Sequence, residues 1–113
     1  MTVEVQSDVA VAAQLFRGMG DPTRLAILTE LLAGERRVVD LVEAVGSSQS
    51  NVSGHLACLK ECGLVIDRPQ GRAVHYRLAT PGVVDLLRQA EMLLGEVGQQ
   101  VALCTNYRMD AQP

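Results

Sequence analysis

Residues 47–64, SSQSNVSGHLACLKECGL, decide how the rest of the chain is read. Ser47 and Ser48 follow Gly46 as candidate N-caps, since a short hydroxyl side chain satisfies a backbone N–H that the first helical turn leaves unpaired. From Gln49 onward Val52, Leu56 and Leu59 recur at helical spacing, and Gly63 supplies the terminator. With a residue every ~100° around the axis, Leu56 and Leu59 fall within about 40° of Val52 and make a core stripe. Ser50, Ser53, Gly54 and Ala57 gather on a second arc. Side chains this small and hydroxylated let a helix lie close to a duplex and hydrogen-bond to phosphates or base edges. Cys58 and Cys62, one turn apart, share a third face beside Asn51 and His55.

The flanking sequence makes this helix the second of a helix-turn-helix. Val38, Leu41, Val42 and Val45 face inward on a short preceding helix, and 46–48 form the tight turn. After Gly63 the period changes to two. Strands are expected at 64–68 and 73–78, with Pro69-Gln70-Gly71-Arg72 as the hairpin tip. A hairpin with basic residues placed here is a wing, whose Arg68 and Arg72 would follow phosphate or enter the minor groove; a solvated hairpin carrying solubilising arginines is the plainer alternative. The candidate DNA contacts are Gln49, Ser50, Asn51, Ser53, Gly54, His55, Lys60, Arg68 and Arg72.

Residues 1–7 read as a loose tail and 8–17 as a short amphipathic helix that Met19 and Gly20 end. Asp21 caps the next helix with Pro22 at its first position, where a missing N–H costs nothing. Leu25, Ile27, Leu28, Leu31 and Leu32 give that helix its buried face, and Gly34 closes it. Arg24 is open between a phosphate contact and a surface ion pair with an acid. Pro81 opens a last helix whose apolar stripe, from Val83 to Val101, runs about five turns. That exceeds what one small wing domain can cover, so Val11, Leu15, Val83, Leu86, Leu87, Ala90, Leu94 and Val97 are assigned to a symmetric dimer interface. Residues 103–113 are expected to be a flexible polar tail. The expected fold is mostly α with a small β-hairpin, a homodimeric winged helix-turn-helix of order α-α-α-α-β-β-α, in one domain spanning 1–113.

Composition agrees with that size. The chain has 113 residues, 48% of them apolar, with one Phe, two Tyr and no Trp, enough for a single aliphatic core. No run approaches 18 apolar residues and the N-terminus is acidic, so neither a membrane span nor a signal peptide is indicated and a cytoplasmic location is expected. The net charge is −3, yet it is unevenly spread. Residues 1–35 hold two basic and five acidic groups, whereas 36–77 hold six basic and four acidic ones. The basic excess falls on the helix-turn-helix and wing, where a nucleic-acid footprint belongs. No phosphate loop, paired-carboxylate set or HExxH motif occurs, so an enzyme is not expected.

Three cysteines suggest no disulfide framework. A lone cysteine is most often a small buried hydrophobe. Here two share a helix face off the core stripe, and the third, Cys104, sits in a polar tail where packing gives a thiol little reason. Cys58, Cys62 and Cys104 are therefore candidate ligands of one ion. Three sulfurs without an evident fourth donor favour a soft, large cation over tetrahedral zinc. His55 and His75 are the only imidazoles; the first suits a helix surface or a phosphate, the second an ordinary strand position. A thiol redox sensor, an arsenite-responsive repressor and a winged-helix protein that mediates association without DNA are the alternatives.

With these residues in place, the chain resembles the ArsR/SmtB family of metal-sensing winged-helix repressors over about residues 10–103. The resemblance is carried by Asp21-Pro22-Thr23-Arg24-Leu25-Ala26-Ile27-Leu28 and Ser50-Asn51-Val52-Ser53-Gly54-His55-Leu56. HLACLKECGL with a late Cys104 is similar to the cadmium- and lead-sensing type of that family. The resemblance implies an apo homodimer that binds a palindromic double-stranded operator and releases it on taking up Cd(II) or Pb(II). It also implies that Cys58 and Cys62 come from one protomer and Cys104 from the other. Two departures bear on this. Arg37-Val38-Val39-Asp40 supplies no thiol where some members carry a CxC. On the last helix Asp85 is present, but Leu87 stands where the paired His of the zinc, nickel and cobalt sensors would be.

Overall fold

The computed structural model describes residues 3–105 and 107. Five helices and three short strands follow in the order α1 (Val3–Met19), α2 (Pro22–Leu31), β1 (Arg36–Arg37), α3 (Val38–Val45), α4 (Gln49–Glu61), β2 (Val65–Gln70), β3 (Ala73–Leu78) and α5 (Gly82–Glu96). The winged helix-turn-helix expected from the pattern is present. Its boundaries follow local chemistry. The Asp21 carboxylate accepts the Arg24 N–H at 3.0 Å with Pro22 at the first helical position, and Ser48 Oγ accepts the Asn51 N–H at 3.1 Å. Gly46, at φ 69°, ends α3 in the left-handed conformation that the sharp turn into α4 requires. The end of α4 is a Schellman closure: the Gly63 N–H reaches the Lys60 carbonyl and the Leu64 N–H reaches that of Leu59, both at 3.0 Å.

The core is aliphatic. Ile27, Leu28, Leu31 and Leu32 meet Leu41, the α4 stripe of Val52, Leu56 and Leu59, then Leu64, Val65, Val83, Val84 and Leu87. Each such side chain removed from water contributes about 1.5–3 kcal/mol. These contacts fix α4 against α2 and α3 and leave its serine-rich arc outside.

Several expectations change. The helix expected at 8–17 begins at Val3, because no glycine or proline interrupts the chain before Gly18; of the expected loose tail, residues 1 and 2 lie outside the described residues. The hairpin carries a third strand. Arg36 and Arg37 pair antiparallel with Tyr76 and His75, giving the sheet order β1-β3-β2. Pro69 and Gln70 belong to β2, opposite Val74 and Ala73, so the tip is only Gly71 and Arg72. Proline is tolerated there because β2 is an edge strand. The last helix stops at Glu96, closed by Gly98 at φ 88° and the Gln99 N–H on the Leu94 carbonyl at 2.7 Å, so Val101 is not part of its stripe.

The expected tail also differs. Leu103, Cys104 and Tyr107 pack against the core. The backbone N–H groups of Leu103 and Cys104 both donate to the Glu91 carboxylate, the second at 3.0 Å, and Arg88 lies 4.7 Å over the Tyr107 ring. A carboxylate that gathers two amides offsets the cost of ordering the segment. Residues 106 and 108–113 of that tail lie outside the described residues.

Candidate nucleic-acid interface and thiol pair

The outer side of α4 presents Gln49, Ser50, Asn51, Ser53 and Gly54, all exposed. They border two shallow grooves. One, of about 670 Å³, runs along Ser47, Ser48, Ser50, Asn51 and Gly54 to Arg24, His55 and Cys58. The other, of about 420 Å³, lies between α3, α4 and the wing and is lined by Arg37, Val39, Gln49, Ser53, Arg72 and Tyr76. Asn51 Nδ2 donates to Ser47 Oγ at 2.6 Å, which orders the entry of the reading helix. Small polar residues between a helix end and an arginine-tipped hairpin can sit on a sugar-phosphate backbone and reach base edges.

The basic residues divide into engaged and unengaged ones. Arg72 is exposed at the wing tip. Lys60 reaches Asp67 at 3.1 Å, Arg37 reaches Asp40 at 3.2 Å, and Arg68 is held by Glu35. The Arg68 guanidinium keeps the Glu35 carboxyl below its ordinary value, with His75 and Arg77 adding to the effect. Arg24 lines the first groove without a salt bridge to an acidic side chain among the described residues. It donates to the carbonyls of Gly18 at 2.7 Å and Arg17 at 2.9 Å, at the end of α1. His55 turns inward, its side chain 19% exposed, with Nδ1 3.3 Å from Arg24 Nη1 and Nε2 3.8 Å from Asp21 Oδ2.

The thiols fall into a pair and a single. Cys58 and Cys62 are half-buried neighbours on α4 and its C-cap. Burial pushes the Cys62 thiol up, and the adjacent Cys58 sulfur adds to the rise. Cys62 Sγ also lies 3.9 Å from the Gln14 carbonyl and borders a groove of about 360 Å³ with Val11, Gln14, Leu15 and Glu61. Cys58 opens toward the reading side, Cys62 toward α1. Cys104 is elsewhere, on the α5 side, its thiol raised by burial and by Glu91. Among the described residues no three Cys, His, Asp or Glu side chains of the protomer converge as a metal-holding group. The donor chemistry suits a thiophilic ion, but one protomer assembles only two of the three sulfurs.

Of the residues assigned to a dimer interface, Val83 and Leu87 are 3% and 1% exposed and belong to the protomer's own core. The apolar stripe of α5 wraps far enough that its first turns face inward and only its end faces out. Val11 and Val97 are exposed, as are Val9 and Phe16 on α1 and Met92 and Leu93 on α5. Leu15 is half-buried against the core, and Leu86, Ala90 and Leu94 are half-buried. Glu35, Glu91, Gly18 and the Arg24–His55 contact escaped the sequence reading, because each acts on a residue distant in the chain.

Residues 21–67 match the family model described as the bacterial regulatory protein, arsR family. The chain is 41% identical over 93 residues to a probable mercury resistance operon repressor of Streptomyces lividans, covering 82% of this chain and 74% of that one. It is 52% identical over 69 residues to the arsenical resistance operon repressor of Escherichia coli, covering 58% and 57%. It is 48% identical over 67 residues to the regulator CmtR of Mycobacterium tuberculosis, covering 59% and 57%. The NMR structure of that cadmium sensor superposes with a TM-score of 0.61 at 40% identity, over 80% of this chain and 90% of that one. A homodimeric winged helix-turn-helix DNA-binding domain from Mycobacterium bovis gives 0.77 at 28% identity, over 86% and 90%. No helix among the described residues is long and apolar enough to cross a membrane. The family model spans the helices from the Asp21 cap through the helix-turn-helix to the start of β2, and the mercury-operon relative extends the likeness over 82% of the chain: this chain belongs to the ArsR family of bacterial regulatory proteins.

Proposed function

We propose that the protein is a metal-responsive transcriptional repressor: its apo homodimer binds a palindromic operator and lets go when a soft ion, Cd(II) or Pb(II), is taken up by cysteine thiolates. The observation that carries this reading is the Cys58–Cys62 pair, placed between the reading groove on one side and α1 on the other. Dimerisation is supported by the exposed Val9, Val11 and Phe16 of α1 and Met92, Leu93 and Val97 of α5. DNA contact is assigned to Gln49, Ser50, Asn51, Ser53, Gly54 and the wing-tip Arg72. Cys104 would complete the sulfur set across the dimer, from the partner protomer, since no third donor joins the Cys58–Cys62 pair among the described residues of one protomer. Thiolates supply soft, anionic donors that retain a large cation.

A ligand frees DNA only by binding the DNA-incompetent arrangement more tightly than the competent one. Drawing the α4 sulfurs toward a third donor would change how α4 sits on α1 and so the spacing of the two reading heads. The test uses reduced protein on a palindromic duplex selected from a random pool, titrated with Cd(II), Pb(II), Zn(II) and As(III). Thiolate–metal absorption and duplex release are followed together. Release by Cd(II) or Pb(II), abolished in Cys58→Ser and Cys62→Ser variants that still bind the duplex, is the expected result. Release by As(III) alone would make it an arsenite sensor. Release by peroxide without any tight metal complex would make it a redox sensor.

A further inference from the structure

We infer that Arg24 and His55 are positioning residues that lock the reading helix α4 to the turn of α1 on which the Cys62 sulfur rests, and do not contact DNA. The inference rests on the metal-responsive reading for its consequence, though its geometry stands apart from it.

The joint begins at the last turn of α1, where the Arg17 carbonyl accepts the Gly20 N–H at 3.2 Å and that of Gly18 would need an N–H from Pro22, four residues on, which has none. Arg24 fills that need: Nε donates to the Gly18 carbonyl at 2.7 Å and Nη2 to that of Arg17 at 2.9 Å. The N-cap bond from Arg24 N–H to Asp21 fixes where on α2 the guanidinium starts. The remaining fork nitrogen, Nη1, faces His55 Nδ1 at 3.3 Å. A guanidinium offers only donors, so in the neutral ring Nδ1 accepts and Nε2 carries the proton toward the Asp21 carboxylate at 3.8 Å. The ring is thus clasped between two groups of the α2 N-terminus, and α4 is clasped with it.

The other side of the same α1 turn carries the sulfur. A Cβ on Gly18 would stand 2.9 Å from Cys62 Sγ and 3.6 Å from its Cβ. A side chain larger than glycine's would push the sulfur from that position. The Gly18 backbone is therefore held by Arg24 through its carbonyl and closely approached by Cys62 on its other side. When Cys62 leaves that seat to serve an ion, the turn that Arg24 grips loses that contact. The shift reaches His55, one helical turn before Cys58, in the middle of the reading helix. Each of Arg24's three fork nitrogens already has a partner within the protein, so the guanidinium cannot swing out to follow a phosphate without giving up these bonds.

Arg24→Lys is the discriminating variant, because an ammonium keeps the charge but cannot span two carbonyls and an imidazole at once. His55→Gln is the second, reached from the other partner. Three readouts are taken on the dimer, with folding checked by circular dichroism. The slope of log affinity for the selected duplex against log salt is read on apo Arg24→Gln, which removes the charge that Arg24→Lys keeps: it should stay that of wild type while affinity itself falls, whereas loss of a phosphate contact would lower it by about 0.9. Iodoacetamide labelling of Cys62, followed by mass spectrometry, should quicken in both variants as the Gly18 turn loosens. The fold-change in duplex affinity produced by Cd(II), of the order of 5–150 for a coupled pair of sites, should collapse toward unity in both. A lowered salt slope, or unchanged labelling of Cys62, overturns the inference. A full Cd(II) effect retained in both variants overturns it too. Wild-type protein that binds Cd(II) without releasing the duplex would sink the metal-responsive reading instead, and the first two readouts would still decide the joint.

Discussion

Arg68 on the wing is held by Glu35, 33 residues earlier: Nε donates to Oε1 at 3.0 Å and Nη2 to Oε2 at 2.5 Å. His75 Nδ1 lies 3.6 Å from the same carboxylate. A carboxylate just before β1 thus ties down the neighbouring strands of the wing and occupies one of its cations. Fixing the hairpin and neutralising one of its cations are two consequences of one ion pair.

Glu35→Gln should release Arg68. If Arg68 then reaches phosphate, apo affinity for the selected duplex rises and the salt slope steepens by about 0.9 for each new contact. Fluorescence anisotropy over a range of salt measures both. Weaker binding with an unaltered slope would mean that Glu35 serves only to hold the wing in place.

Arg72 stands at the two-residue tip, exposed. Arg72→Ala should weaken binding to selected and random duplexes alike and lower the salt slope by about 0.9. Stability should stay within about 0.5 kcal/mol of wild type, as for a surface change. An unchanged slope would remove the wing tip from the DNA-binding surface.

Gly18→Ala and Cys62→Ala should be strongly non-additive. Alanine in place of a helical glycine ordinarily gains about 1 kcal/mol, but here its Cβ meets the Cys62 sulfur at 2.9 Å. Removing that sulfur leaves the ordinary 3.6 Å contact with the Cys62 Cβ. Gly18→Ala is therefore expected to stabilise the Cys62→Ala protein more than the wild type, in which the sulfur must move aside, a difference that urea denaturation of the four species detects. Equal effects in both backgrounds would refute the close contact.

Asp21 carries a pH dependence whose sign is fixed. The Arg24 N–H hydrogen bond leads in holding its carboxyl below the ordinary 3.8, with His55 and Arg24 adding to the effect. A depressed carboxylate contributes stability fully present above its unfolded value and lost as pH falls through the folded one. Asn caps helices too but does not titrate. Between pH 5 and about pH 3 the wild type should lose more stability than Asp21→Asn. Parallel unfolding curves at both pH values would show that the cap bond does not depend on charge.

Much of the fold was legible because it was local. Asp21-Pro22, Gly46, Ser48 and Gly63 act within a turn of where they stand, and each marks a helix end that the structure keeps. Val52, Leu56 and Leu59 share a face because the helical period puts them there, and the same arithmetic pairs Cys58 with Cys62. The reading failed where partners are remote. Nothing near Arg36-Arg37 announces a strand, since its pairing residues, Tyr76 and His75, lie about 40 positions on and follow the chain's return. The stripe of α5 could not show by periodicity alone that Val83 and Leu87 face inward while Leu93 and Val97 face out.

By itself, then, the sequence determined the winged helix-turn-helix, its reading helix and the pair of sulfurs on it, because caps, turns and periodicity act over a few residues. Only the tertiary structure decided which charges are already spoken for. It gave Arg24 to the end of α1, Arg68 to Glu35 and the Cys104 amide to Glu91, because a donor takes whichever acceptor the packing brings within 3 Å, however far away in the chain that acceptor lies.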